Sequence, residues 1–209
     1  MKEFIEITAS KQSLTNRKLS FGVGVNDADY LVQPRILGKH LRCPYYGVWI
    51  EMLRRCYCIK YQTKQPTYIG CIVSQEWLVF SNFKAWMQKQ DWKEKCLDKD
   101  ILVVNNKEYS SENCIFVTQA INSLLNKHYA TRGHCKLGVS FDTNSGKYKA
   151  YCNNKGKIFH LGLFITEQEA HDVYCAYKAN LIKEIAEEQT DLRLKNALIE
   201  RANTIHLVE

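Results

Sequence analysis

Apolar positions recur with a helical period in the first half of the chain and with a strand period near residue 140, and that change divides it. Cys43-Pro44 opens a stretch in which Tyr46, Trp49, Ile50 and Leu53 recur at helical spacing, with Arg54 and Arg55 on the flank. Gln65-Pro66-Thr67 breaks the pattern. Ile69 to Val73 reads as a short strand. Trp77, Phe80, Phe83, Ala85 and Trp86 then form a second, aromatic-rich helical segment with an interruption near Ser81-Asn82. Leu97 to Val104 reads as a strand, followed by the turn Asn105-Asn106-Lys107. After Tyr109 and the loop Ser110-Ser111-Glu112-Asn113 comes the apolar strand Cys114-Ile115-Phe116-Val117. Thr118 caps a helix to about Asn126. The order is strand, turn, strand, helix.

From Leu137 the period shortens to two. Gly138 to Phe141 is one strand, Asp142-Thr143-Asn144-Ser145-Gly146 a turn, and Lys147 to Asn153 an alternating strand. Asn153-Asn154-Lys155-Gly156 is a second turn and Lys157 to Phe164 a third strand. Thr166-Glu167-Gln168-Glu169 is a capping box, and the helix behind it aligns Ala170, Val173, Tyr174, Tyr177, Leu181 and Ile185. Three short antiparallel strands on one helix are the economical fold here. From about Asp191 an amphipathic stretch with Leu192, Leu194, Leu198 and Ile199 either docks on the body or makes a homodimer face. The fold class is α+β. The expected organisation is a loose arm over 1–20, a core over 21–126, a linker over 127–136, a sheet-and-helix module over 137–186 and a tail over 187–209.

Hydrophobic residues at 45% and charged residues at 24% are ordinary for a globular chain. There is no apolar run of about 18 residues and no signal-peptide pattern at the N-terminus, so the expectation is a soluble cytoplasmic protein with no membrane partner. The net charge of +7 is unevenly spread. Arg132, Lys136, Lys147, Lys149, Lys155 and Lys157 stand against one acid, Asp142, in residues 131–160, whereas residues 161–209 carry nine acids and five Lys or Arg. One face is therefore suited to phosphate and another is not.

In the second strand of this module, period two puts Lys147, Lys149, Tyr151 and Asn153 on one face. Tyr148, Ala150 and Cys152 share the other, which the helix would cover. Such a sheet can lie in the major groove of double-stranded DNA. Lys136, Lys147, Lys149, Lys155 and Lys157 would meet phosphates, while Ser140, Tyr151 and Asn153 approach base edges. The expected partner is duplex DNA rather than a small-molecule substrate. An exposed tyrosine on a sheet also suits single-stranded RNA.

Residues 137–186 resemble the AP2 family of DNA-binding domains. The likeness is carried by Gly138-Val139-Ser140, Gly146-Lys147-Tyr148-Lys149-Ala150-Tyr151, His160-Leu161-Gly162-Leu163-Phe164, and Glu169-Ala170 with Tyr174 and Ala176. Residues 21–126 resemble phage HNH-type homing endonucleases, which often carry an AP2-like tail. Here the likeness lies in Gly22-Val23-Gly24-Val25-Asn26-Asp27-Ala28-Asp29-Tyr30, Cys43-Pro44-Tyr45-Tyr46 with Trp49, Met52 to Tyr57, Pro66-Thr67-Tyr68, Trp77, Phe80 to Trp86, Leu97-Asp98-Lys99-Asp100-Ile101, Tyr109-Ser110 and Asn113 to Asn122. Together the two resemblances imply a phage protein acting in a bacterial host cell, a metal-dependent DNA endonuclease targeted by its AP2-like module.

An HNH site is a strand pair and a helix gripping one divalent ion, Mg²⁺ or similar, which neutralises the scissile phosphate while a base activates water. The resemblance places Asp98 in the carboxylate position, Asn113 in the loop position and Asn122 in the helix position, with Asp98 and Asn122 as metal ligands. The base position holds Lys99 rather than His, and an ordinary ammonium is a poor proton acceptor. Three readings stay open: Asp100 is the base or a further ligand, on the same strand face as Asp98; Lys99 stabilises the phosphorane charge; or the core is catalytically decayed and the protein is a sequence-specific DNA-binding regulator.

Nine cysteines, an odd number in a chain without a secretory signal, argue against a disulfide framework. Cys43, Cys56, Cys71 and Cys114 form a structural zinc site or pack as buried thiols, and no Cys-x-x-Cys knuckle is present. His128 and His134 fall in the linker.

Overall fold

The computed structural model describes residues 4–36, 38–125, 134–154 and 156–208. The chain forms two compact units, Met1–Phe116 and Val117–Glu209. Its class is mixed α+β.

In chain order the first unit contains α1 (Lys11–Thr15), β1 (Arg35–Ile36), β2 (Lys39–His40), α2 (Pro44–Tyr57), α3 (Ile59–Lys64), β3 (Ile72–Val73), α4 (Phe80–Met87), β4 (Cys96–Asp98), β5 (Glu108–Tyr109) and β6 (Ile115–Val117). Short 3₁₀ turns cover Pro66–Tyr68 and Gln75–Leu78. Pro44 sits in the first turn of α2, where a missing N–H costs nothing. The apolar stripe of that helix then buries Trp49, Met52 and Leu53 against Trp77, Phe80 and Phe83 of the second aromatic segment. The Trp49 indole N–H is satisfied by the Trp77 carbonyl at 2.7 Å. The second aromatic segment breaks at Val79 rather than near Ser81, because Val79 bridges to Val25 there. Gly24 beside it cannot carry a side chain: a Cβ would stand 2.4 Å from Leu53 Cδ1.

Two expectations for this unit are corrected. Residues 4–20 are not a loose arm: Ala9 N–H donates to Asp29 O and Leu31 N–H to Ile7 O, while the Arg17 guanidinium donates to the carbonyls of Asn26, Ala28 and Tyr30. The strand at Leu97 stops at Asp98 instead of running to Val104, because the Asp98 carboxylate captures the next backbone donors. β5 pairs in parallel with β3, and β4 pairs with β6.

The second unit contains α5 (Gln119–Leu125), β7 (Val139–Asp142), β8 (Lys147–Asn154), β9 (Lys157–Phe164), α6 (Glu167–Glu187) and α7 (Leu192–Val208). The three strands form an antiparallel sheet in the order β7-β8-β9, as the alternation predicts. Thr166 caps α6 with the reciprocal capping box, its hydroxyl accepting from Glu169 N and Glu169 accepting from Thr166 N. Gly138 adopts φ +75, and a Cβ there would lie 2.0 Å from the Tyr174 ring, so the backbone meets the helix face directly. Of the six residues that its periodicity aligns, Ala170, Tyr174 and Leu181 are buried and Val173, Tyr177 and Ile185 half-buried. The helix also buries His171, Cys175, Lys178, Ile182 and Ala186, and α7 packs on α6 with Leu194, Ala197, Leu198, Ala202 and Ile205 buried. Of the two roles open to the tail, docking on the body is the one observed. No helix among the described residues is long and apolar enough to cross a membrane.

Candidate nucleic-acid interface and hairpin site

Residues that pair across β7, β8 and β9 must point to the same side of the sheet, and the register therefore assigns its two faces. Val139 opposite Ala150, and Cys152 opposite Phe159, look toward α6. Val139, Ala150 and Ala170 are buried together, with Tyr148, Leu161 and Phe164 packed around them. The other face carries Ser140 opposite Lys149 opposite Leu163, Asp142 opposite Lys147, Tyr151 opposite His160, and Asn153 opposite Ile158. Lys147, Asn153, His160, Ile158 and Leu163 are exposed, and Ser140, Lys149 and Tyr151 half-buried. The face expected from β8 alone is thus assembled, and it gains neighbours from β9.

Those neighbours escape a period-two reading for a specific reason. A bulge between Ala150 and Tyr151 shifts the register, with Leu161 as the extra residue of β9. Before the bulge Ile158 and His160 face outward; after it Leu163 does, while Phe164 turns to the helix. Simple alternation would have grouped His160 with Gly162 and Phe164. Gly162 takes φ +142, where a side chain would be strained.

Other candidate cations lie elsewhere. Lys136 is exposed, but its backbone N–H and its ammonium bond Glu167 and Gln168 in the first turn of α6. Lys157 pairs with Asn154 at the end of the β8–β9 hairpin, off the Lys147–Lys149 row. Lys155 and His128 are outside the described residues. Asp142 is the acid beside the lysine row. Its carboxyl lies below the ordinary range because the Ser145 hydroxyl and the Asn144 and Ser145 backbone donate to it and Lys149 is near.

In the first unit, Asp98 ends β4. Its Oδ1 accepts the backbone N–H of Asp100 at 2.7 Å and of Ile101 at 2.8 Å, which turns the chain out of the strand. Burial pushes the Asp98 carboxyl up, against the pull of those two donors. Asp100 therefore does not share a strand face with Asp98, a correction to the alternation reading. Its two carboxylate oxygens receive the Lys99 ammonium at 2.7 and 2.8 Å. Lys99 is only 5% exposed and also donates to Asn106 O at 2.7 Å. Held this way, its ammonium faces into the loop and away from any solvent-borne phosphate. Asn106, which no pattern in the sequence singles out as more than a turn residue, closes the loop. Its Nδ2 donates to the carbonyls of Lys99 and Glu108, and its Oδ1 accepts from Glu108 N. Asn113 Nδ2 reaches Asn106 Oδ1 and Glu108 Oε2, both at 3.5 Å. The structure thus joins Asp98, Lys99, Asp100 and Asn113 in one hydrogen-bonded loop. Asn122 stands on α5 in the second unit, half-buried.

The first-unit residues do not fit a resident divalent ion. One Asp98 oxygen is committed to backbone donors and both Asp100 oxygens to an ammonium, which would repel a second cation. Among the described residues no group of three or more His, Cys, Asp or Glu side chains is placed to hold a metal. Cys43, Cys56, Cys71 and Cys114 are buried free thiols. Cys43 Sγ lies 3.4 Å from the Tyr30 hydroxyl, and burial raises Cys56 to about 12 and Cys114 further. They pack as small apolar groups.

Compared with protein-family models, characterised proteins and solved structures, the chain matches none.

Proposed function

We propose that this protein binds duplex DNA by seating the open face of β7-β8-β9 in the major groove, and that its first unit is a nuclease-type scaffold of the HNH kind. The single observation that carries the reading is the row of Lys147, Lys149, Tyr151 and Asn153 on a face left open by α6, with Ser140, His160, Ile158 and Leu163 beside it. Three strands about 4.8 Å apart span roughly 10 Å, which suits a groove about 12 Å wide. Lys147 and Lys149 neutralise phosphates. Asn153 has the paired donor and acceptor that match adenine, Ser140 suits several base edges, and Ile158 and Leu163 offer apolar contact to thymine methyls. The direct test is fluorescence anisotropy with labelled duplexes against single-stranded RNA of the same length. Tighter binding to the RNA, or no binding to any duplex, refutes the reading.

Phosphodiester hydrolysis is the second reading, favoured by one observation: β4 pairs with β6, Asp98 closes β4, and Asn113 lies in the intervening loop. It predicts nicking of supercoiled DNA that is lost in Asp98→Ala. The absence of nicking across Mg²⁺ and Mn²⁺ leaves a DNA-binding regulator on a decayed nuclease core.

A further inference from the structure

The loop from Asp98 to Glu108 is folded around a positive charge that belongs to the chain itself. Lys99 is nearly fully buried, yet its ammonium meets two carboxylate oxygens of Asp100 and the carbonyl of Asn106 within 2.8 Å. The Tyr109 ring centroid lies 6.0 Å away, within cation–π range. Asp98 anchors the start of the same loop, and Asn106 ties its two ends through the Lys99 and Glu108 carbonyls. Carboxylate and carbonyl oxygens converging on one point are the donor set that hard divalent cations take.

We propose that the Lys99 ammonium is the resident cation of this loop: a tethered monovalent charge in the place where a nuclease-type hairpin holds a divalent ion. Two consequences follow. The loop is ordered without metal, and the site excludes a divalent ion as long as Lys99 is charged and in place. Removing the charge leaves the two Asp100 oxygens and the Asn106 carbonyl facing one another, a set that acquires affinity for a small divalent cation. The inference rests on the nuclease-type reading only for the identity of the ion replaced. Its readouts contain no DNA, so its failure and the failure of DNA binding are separate results.

The test uses the full chain stripped with chelator. Melting temperature is measured with and without millimolar Mg²⁺, Mn²⁺ or Ca²⁺ for the wild type and for Lys99→Met, which keeps an apolar stem without the charge. The wild type is expected to melt at the same temperature in every condition. Lys99→Met is expected to melt on the order of 5–10 °C lower and to recover a good part of that loss when a divalent ion is added. Mn²⁺ binding to the wild type, read by electron paramagnetic resonance, decides the matter if Lys99→Met does not fold, and no binding tighter than millimolar is expected. Any one of three results overturns the proposal: ion-dependent stabilisation or tight Mn²⁺ binding in the wild type, unchanged stability in Lys99→Met, or a folded Lys99→Met that stays destabilised in every ion.

Discussion

Replacing Lys147 and Lys149 together with glutamine tests the DNA interface most directly. Both project from the open face of β8, one exposed and one half-buried, and neither bonds a carboxylate as its close partner in the way Lys99 does. Each phosphate contact releases about 0.9 counterion, so two lost contacts flatten the plot of log affinity against log salt by about 1.8. At about 0.15 M salt each release contributes about 1 kcal/mol, so the double variant should bind about 30-fold more weakly. Anisotropy titrations between about 50 and 200 mM salt measure slope and affinity in one experiment. Glutamine keeps the stem that packs along the strand, so the melting temperature should hold. A slope unchanged within about half a unit would mean that these lysines touch no phosphate, and the interface would have to be sought elsewhere.

Four further outcomes are expected. Asp142→Asn removes the acid beside the lysine row while keeping a side chain for the turn to Ser145, and should tighten duplex binding roughly three- to ten-fold by the same titration. Asn106→Ala removes three hydrogen bonds that close the Asp98–Glu108 loop and should cost roughly 2–3 kcal/mol in denaturant unfolding, whereas a loss under about 0.5 kcal/mol would refute the closure. Thr166→Ala breaks the capping box and should cost about 1 kcal/mol, seen as faster amide exchange in the first turn of α6. Cys56, raised from 9.0 to about 12 by burial, should react slowly with thiol reagents in the native protein at pH 8. Its neutral form favours the fold, so its contribution is complete below the unfolded thiol value and is lost as pH rises toward about 12. Rapid labelling of Cys56 in the native protein would show that the site opens.

The sequence by itself determined whatever depends on neighbours along the chain. Pro44 at a helix start, the Thr166–Glu169 capping box and the turn at Asp142–Gly146 are local chemistry, and each is where the pattern puts it. The β8 face was legible for the same reason, since alternation is a property of one strand. Only tertiary structure decided the rest. The bulge that turns Leu163 outward is a property of two strands in register. Which α6 residues are buried depends on the strands and on α7 packed against it, and the docking of residues 4–20 depends on carbonyls at 26–30. At the hairpin, Asp98-Lys99-Asp100 reads equally well as a strand end, a metal site or a charged loop. A carboxylate can bond the backbone two residues on, a metal, or an ammonium, and the three alternatives differ only in what the fold brings within about 3 Å. Here the fold brings Asn106 to Lys99 and Lys99 to Asp100, and long-range closure decides which of those partners wins.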